Sequence, residues 1–408
     1  MELWKRNLVV CWLGSFTTSC GINIVVPFMP FYIEQMGVKD LGTVSLLSGA
    51  AFSITFVAAA LMSPLWGRLA DIHGRKTVMM CTSMGLALSN FAYPFVHSIW
   101  LLLLFRLLQG LVSGYNPSAN ALIARVTPDK KAGWALATLS TGMMAGTLLG
   151  PVIGGYLDTT IHIRNTFFVT TASLFVSFLI AALFIKEGDL PDRPLTVVTH
   201  SKPGPLLAAI DGRFFFIMLM VTTCLINTAN QSIEPIVSLF VRQLFEQSHT
   251  VSGQISLFSG IVISATGVGI LLTASLIGRL ADRTGYMRIL LFSLLFSGIL
   301  FIPMAFVQNA WQLMGLRFLF GVSQAGIMPI VSTLLKKTSR SDIFGRVFGY
   351  NQAMTYLGLV LGPLLGSFVS AHLGFSHIFL ITAGILLGNL FLVLFCKRKM
   401  PVSLQSNH

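Results

Sequence analysis

Twelve stretches of about twenty mainly apolar residues divide the chain. They lie at roughly 8–32, 44–66, 77–96, 99–122, 132–157, 165–185, 214–241, 252–277, 289–307, 310–335, 345–371 and 375–396. A helix of about twenty residues crosses the ~30 Å hydrocarbon layer of a bilayer. The apolar residues run all round each stretch, so the helices face lipid as well as one another. The two-residue alternation of a membrane barrel is absent. The predicted fold is therefore an all-α polytopic membrane protein with twelve transmembrane helices. Composition agrees: 10% of the 408 residues are charged, against about 25% in soluble domains. That is too little charge to cover a soluble surface, which excludes a cytosolic enzyme, a disordered chain and a disulfide-rich secreted domain. The five cysteines all lie in or at the end of apolar stretches and read as small fillers. The N-terminal apolar run continues to Tyr32 without a clear cleavage signal, so it is expected to be a retained first span.

The net charge of +13 reflects topology. Of the 27 Lys and Arg, 22 fall on the side that holds the N-terminus. Lys39, Arg164 and Arg242 lie on the other side, and Arg106 and Arg317 lie inside spans. The positive-inside rule then places both termini in the cytoplasm, in an inner (plasma) membrane. No nucleic-acid partner is implied. The expected partners are small-molecule substrates and membrane lipids, and the expected state is a monomer.

The sequence repeats itself. Ser48, Gly49, Ser53 and Gly67-Arg68-Leu69-Ala70-Asp71 recur 211 residues later as Ser259, Gly260, Ser264 and Gly278-Arg279-Leu280-Ala281-Asp282. Arg106 and Gly110 map at the same offset onto Arg317 and Gly321. Gly150-Pro151 maps onto Gly362-Pro363 at 212, and Pro27 onto Pro235 at 208. The chain is thus expected to form two parallel six-helix halves, 1–185 and 214–396, with a Pro-rich cytoplasmic linker at 186–213 and a cytoplasmic tail at 397–408. Such repeats build rocking transporters with a substrate site near mid-membrane.

Three motifs carry further chemistry. In Gly67-Arg68-Leu69-Ala70-Asp71-Ile72-His73-Gly74-Arg75-Lys76, the glycines suit a tight turn between helix ends. Asp71 can cap the next helix and pair with a cation of the other half. Arg75 and Lys76 suit a lipid-headgroup anchor. In Arg106-Leu107-Leu108-Gln109-Gly110, an arginine deep in a span is costly and marks a functional site, or else braces helices. In Gly146-x-x-x-Gly150-Pro151-x-x-Gly154-Gly155, small residues one turn apart let helices approach closely, and Pro151 is expected to kink its helix. Gly358, Gly362, Pro363 and Gly366 repeat this pattern.

These motifs, with Pro27-Phe28-Met29-Pro30 in the first span, resemble the major facilitator superfamily, in its twelve-span drug:proton antiporter branch. The resemblance covers nearly the whole chain. It implies proton-coupled export of drugs or other lipophilic small molecules by alternating access, without enzyme activity. It implies that Gly67, Asp71, Gly74, Arg75 and Lys76 form a conformational latch, with Arg346 as the partner of Asp71. It links Arg106 to proton transfer and Gly146, Gly150, Pro151, Gly154 and Gly155 to antiport. Arg317 lacks the glutamine that follows Arg106 and is weighted below it.

Of the fourteen acids, only Glu234 falls inside a span, about 10 Å from its outer end. Pro235 beside it breaks the helix, and such a break can line a cavity. Glu234 is either the proton carrier, neutral in one facing state and ionised in the other, or an acid near the membrane surface satisfied by Arg242 or water. The polar residues Asn23, Asn116, Asn120, Asn227, Gln231 and Gln324 are candidates for the substrate cavity, and the aromatics Phe28, Phe31, Tyr32, Tyr115 and Phe240 for an apolar drug pocket. There is no GxxxxGK[ST] phosphate loop, HExxH or metal-ligand cluster, so no cofactor is expected and the proton gradient is the energy source. The alternatives are a metabolite uniporter or symporter on the same fold, or a membrane-embedded enzyme or receptor.

Overall fold

A computed structural model describes residues 2–187, 212–247, 255–339 and 343–397. Most of the linker expected at 186–213, and nearly all of the tail, lie outside the described residues. The described chain is helical, with no strand. Lipid offers the backbone no hydrogen bonds, so each segment must satisfy its own. The helices are α1 (Leu3–Val25), α2 (Met29–Gln35), α3 (Leu41–His73), α4 (Arg75–Ala92), α5 (Ile99–Leu111), α6 (Tyr115–Val126), α7 (Asp129–Phe184) and α8 (Arg213–Gln231). They continue as α9 (Val237–Gln247), α10 (Ile255–Thr284), α11 (Tyr286–Met304), α12 (Ala310–Gln324), α13 (Ile327–Thr338), α14 (Phe344–Leu373) and α15 (Phe375–Lys397).

Ten helical stretches among the described residues are long and apolar enough to cross a membrane. Two features account for the difference from the twelve expected spans. The stretch Lys131–Phe184 has 54 residues, about twice the length one crossing needs. It doubles back at His162, whose φ of 66° breaks the helix. The contacts of α1 show the reversal. Trp4 meets Trp134 and Trp12 bonds Thr141, whereas Asn7 bonds the Lys186 carbonyl and Thr17 bonds Ser177. Both ends of this segment therefore lie beside the start of α1. His162 falls in the gap expected between the spans 132–157 and 165–185, whereas Pro151 lies inside α7 with helical backbone around it, so the kink expected at the proline is not seen. The second feature is α4, which is rich in Ser, Thr and Asn. Thr82, Ser83, Ser89 and Asn90 donate to carbonyls one turn back, which makes a polar helix tolerable in lipid.

The described residues form two compact units. One is drawn from Met1–Pro191 and Pro235–Ser264, the other from Asp192–Glu234 and Ala265–His408. The core of the first includes Leu8, Cys11, Met79, Tyr115, Leu122 and Leu139. That of the second includes Phe215, Leu219, Leu290, Leu294, Val331 and Leu334. Large side chains such as Leu61, Trp100, Phe306 and Phe391 stand exposed, as a lipid-facing surface requires.

Candidate functional site

The sequence repeat reappears as one helix contact built twice. In the first unit the glycines of α7 lie on α1. Gly146 faces the Phe16 carbonyl, Gly150 faces Asn23 and the Cys20 carbonyl, and Gly154 faces the Ile24 carbonyl. In the second unit the glycines of α14 lie on α8. Gly358 faces the Cys224 carbonyl, Gly362 faces Gln231 and the Thr228 carbonyl, and Gly366 faces the Ser232 carbonyl. Every glycine maps by 212 and every partner by 208, the two offsets already present in the sequence. A Cβ at Gly150 would come within 2.7 Å of the Asn23 Cβ, and one at Gly362 within 2.7 Å of the Gln231 Cβ. Asn23 and Gln231 are therefore repeat mates, both half-buried. Asn23 Nδ2 donates to the Ser19 carbonyl at 2.7 Å. Gly155 and Pro151 meet a different helix: Gly155 faces the Ser256 carbonyl, and the Pro151 carbonyl faces Gly260 of α10.

Arg106 is buried on α5. Its Nη1 donates to Gln109 Oε1 at 3.3 Å, which also accepts from the Tyr93 hydroxyl at 3.2 Å. The guanidinium lies over the rings of Phe52 and Tyr93, at 5.7 and 5.8 Å. This is a cation–π site.

Glu234 lies in the second unit, in the break between α8 and α9, and is half-buried. Arg317, the repeat mate of Arg106, belongs to the same unit. Arg317 is 3% exposed, and its Nε has no hydrogen-bond partner among the described residues. The sequence placed Arg106 beside Glu234 in function and ranked Arg317 below it. Arg106 belongs to the first unit, and Arg317 shares the second with Glu234.

Arg242, the other partner weighed for Glu234, is engaged elsewhere. It lies on α9 and pairs with Glu34 of α2, with two hydrogen bonds of 2.7 Å. Its Nε is 3.9 Å from Glu246, and its guanidinium covers Phe31 at 5.4 Å. The bond to Glu34 raises the arginine pKa above its ordinary value. This pair borders a polar cleft of about 520 Å³ lined also by Asp158, His162, Ile255 and Ser256. Ser256 donates to Asp158 across it.

The loop motif differs from its expected geometry in three ways. Asp71 does not cap the next helix; it lies inside α3 and pairs with Arg75 at 3.5 Å. Arg75 is not a headgroup anchor, being 7% exposed, and burial pulls its pKa below the ordinary arginine value against the pull of Asp71. Gly67 makes no turn; it stands in α3 with open space around it, and only Gly74 has the left-handed φ of 87°. Lys76 is half-buried at the start of α4, and Arg346 is exposed on α14 in the other unit.

Among the other cavity candidates, Asn116 donates to the Ser19 hydroxyl at 3.4 Å, and its Oδ1 has no partner among the described residues. Asn120 is half-buried one turn further along α6. Asn227 donates to the Thr223 carbonyl, and Gln324 is buried with its Nε2 unpaired among the described residues. The aromatics divide. Phe28, Tyr32 and Tyr115 are packed into the core, with Tyr32 donating to the Val96 carbonyl at 3.1 Å, whereas Phe31 lines the polar cleft.

The sequence matches the profile described as Major Facilitator Superfamily over residues 11–267 and again over 219–407. It is 43% identical over 386 residues to "Multidrug resistance protein MdtG" of Salmonella typhi, covering 95% of this chain and 94% of that one. It is 42% identical over 388 residues to the protein of that name from Dickeya zeae (strain Ech586), covering 95% and 93%. Among solved structures, a bacterial homolog of the human lysosomal transporter Spinster, inward-facing and unoccupied, matches with a TM-score of 0.78 at 14% identity, over 100% of this chain and 99% of that one. The nucleoside transporter NupG matches with a TM-score of 0.72 at 16% identity, over 98% and 100%. The human organic anion transporter MFSD10 (TETRAN) matches with a TM-score of 0.66 at 19% identity, over 96% and 100%. The doubled glycine contact, the repeated spans and these likenesses agree: the chain is a multi-pass membrane protein that belongs to the major facilitator superfamily.

Proposed function

We propose that the protein is a proton-coupled secondary transporter that exports drugs or other lipophilic small molecules by alternating access. The observation that carries this is the 43% identity, over nearly the full length of both chains, to a protein named for multidrug resistance. The glycine contacts of α7 on α1 and α14 on α8 support it, because carbonyl-to-glycine packing gives each unit a rigid helix pair that can move as one body.

Proton coupling is assigned to Glu234. A half-buried carboxyl in the same unit as the buried cation Arg317 has two charge states of differing cost. Protonating Glu234 leaves Arg317 without its counter-charge, so proton uptake is expected to bias the conformational equilibrium. Arg106, surrounded by Tyr93, Phe52 and Gln109, holds a positive charge in the first unit and modulates the same equilibrium. Asn23, Asn116, Asn120, Asn227, Gln231 and Gln324 are assigned to the substrate path, and Asp71 with Arg346 to the cytoplasmic latch. The protein works as a monomer in the inner membrane with both termini cytoplasmic. It needs no cofactor, is driven by the proton gradient and performs no covalent chemistry.

The test is transport of ethidium in proteoliposomes with an imposed pH gradient. Wild type is expected to move ethidium against its gradient, and Glu234→Gln to lose gradient dependence. Gradient-driven transport by the mutant would remove Glu234 from the proton path. A wild type indifferent to the gradient for a panel of drugs would overturn the export reading itself.

A further inference from the structure

The helix α4 begins at Arg75 behind Gly74, a residue with no side chain to cap it. Its first free N–H groups nevertheless have an acceptor. Glu187 Oε1 accepts from the Arg75 amide at 2.6 Å and from the Lys76 amide at 2.9 Å. A carboxylate at a helix N-terminus is favoured by both the free amides and the helix dipole. Glu187 stands three residues beyond the end of α7, where the chain leaves toward the linker. A Cβ on Gly74 would come within 2.5 Å of Glu187 Oε2, so the glycine serves this approach as well as its φ of 87°. The carboxylates of Glu187 and Asp71 both act on the buried Arg75 guanidinium, and the positive charge of Arg125 opposes them.

The second copy of the motif is built otherwise. Gly285 keeps the turn, with a φ of 100°, but Tyr286 replaces Arg75 and donates to Asp282 at 2.6 Å. Lys337 lies over the Tyr286 ring at 4.4 Å. The offset of 212 that holds from α7 onward carries Glu187 onto Lys399, so the second copy has a base where the first has an acid.

We infer that Glu187 is a positioning residue for transport: it clamps the loop 67–76 to the exit of α7 and presents Asp71 and Arg75 for the conformational switch. This rests on the reading of that loop as a cytoplasmic latch. Glu187 touches no substrate. It ties two backbone amides of the latch to the chain that enters the linker, so the two move together.

The experiment compares wild type, Glu187→Ala, Glu187→Gln and Asp71→Asn in the proteoliposome assay, with amide hydrogen exchange on the same samples. Glu187→Ala is expected to lower turnover about tenfold with KM unchanged, as loss of two charge-assisted bonds at a moving element implies. Peptides covering residues 74–80 should exchange at least about tenfold faster, while the rest of α4 keeps its protection. Glu187→Gln retains an acceptor oxygen without the charge and should fall between the two. If Glu187→Ala does not insert, Glu187→Gln alone decides, and wild-type turnover with wild-type exchange at 74–80 would overturn the inference. Normal transport by Glu187→Ala with impaired transport by Asp71→Asn would overturn the role of Glu187 and leave the latch standing. Normal transport by both would remove the latch and the clamp together. Faster exchange throughout α3 and α4 with loss of turnover would reduce Glu187 to general stability and also overturn it.

Discussion

Arg242 donates from two guanidinium nitrogens to the two carboxylate oxygens of Glu34, both at 2.7 Å. The pair fastens α9 to α2 beside the polar cleft, with about a quarter of each side chain exposed. Fork-to-fork geometry and partial burial put it above an ordinary surface ion pair.

Removing one partner should loosen the cleft. Arg242→Gln is expected to weaken the contact by roughly 1–3 kcal/mol. The rate at which a water-soluble thiol reagent reaches a cysteine placed at Ser256 measures it and should rise. The charge-reversed double variant Glu34→Arg with Arg242→Glu should return the rate toward wild type. Equal labelling in all three would show that the pair does not control access. The pH response has a definite sign. A cation whose pKa is raised in the folded state is stabilising below its ordinary value, and that contribution is lost only as pH rises through the folded-state value. For Arg242 both values lie far above neutrality, so its charge does not loosen the contact between about pH 7 and 10.

Glycines with carbonyls against them should not tolerate a methyl group. A Cβ at Gly154 would overlap the Ile24 carbonyl, and one at Gly366 the Ser232 carbonyl. Each alanine variant is expected to cost several kcal/mol, by forcing helices apart, and to lower the melting temperature in detergent. Gly67→Ala is the opposite case. Gly67 is helical with nothing within 4 Å, so alanine should stabilise the fold by roughly 0.5–1 kcal/mol. A transport defect in Gly67→Ala without loss of melting temperature would assign Gly67 to another conformation of the cycle.

Asp71 and Arg75 form an unequal pair, with side-chain exposures of 53% and 8%. Asp71→Asn removes a counter-charge from a buried guanidinium, whereas Arg75→Gln removes the buried charge itself. Arg75→Gln is therefore expected to be the milder change for stability, and Asp71→Asn should be partly rescued by adding Arg75→Gln. Melting curves of the four proteins test this. Strict additivity would mean that the pair is not coupled.

Arg317 and Glu234 should be coupled in the same way, within the second unit. Arg317→Gln is expected to destabilise by more than the double variant with Glu234→Gln, with a coupling of about 0.5–3 kcal/mol. Arg106→Gln should show no such rescue by Glu234→Gln, because the Arg106 guanidinium is held by Gln109, Phe52 and Tyr93 of its own unit. Rescue of Arg106→Gln instead would move the charge partner of Glu234 to the first unit.

Much of the fold was legible because its causes are local. An apolar run of the right length must be a helix in lipid. A glycine every fourth residue must be a close contact, and the offsets of 212 and 208 in the sequence recur unchanged in which glycine faces which carbonyl. The charged contacts were less legible. Glu34, Asp158 and Glu187 each sit at the end of a span, where an acid with a partner and an acid in water look alike in sequence. Arg317 could not be ranked above Arg106, because the glutamine after Arg106 is visible locally and the burial of Arg317 in one unit with Glu234 is not. The turn near His162 was legible, since it falls between the spans read at 132–157 and 165–185, while the proline at 151 gave a kink signal that the helix does not follow.

The sequence by itself determined the apolar segments, their doubling and the glycines on which each helix pair is built, because solvation length and backbone clearance belong to a segment and its neighbours along the chain. Only the tertiary structure decided that Arg242 takes Glu34 and that Glu187 caps α4. Coulombic and hydrogen-bond energies depend on distances between residues up to 208 apart in the chain, and no pattern along the chain records those distances.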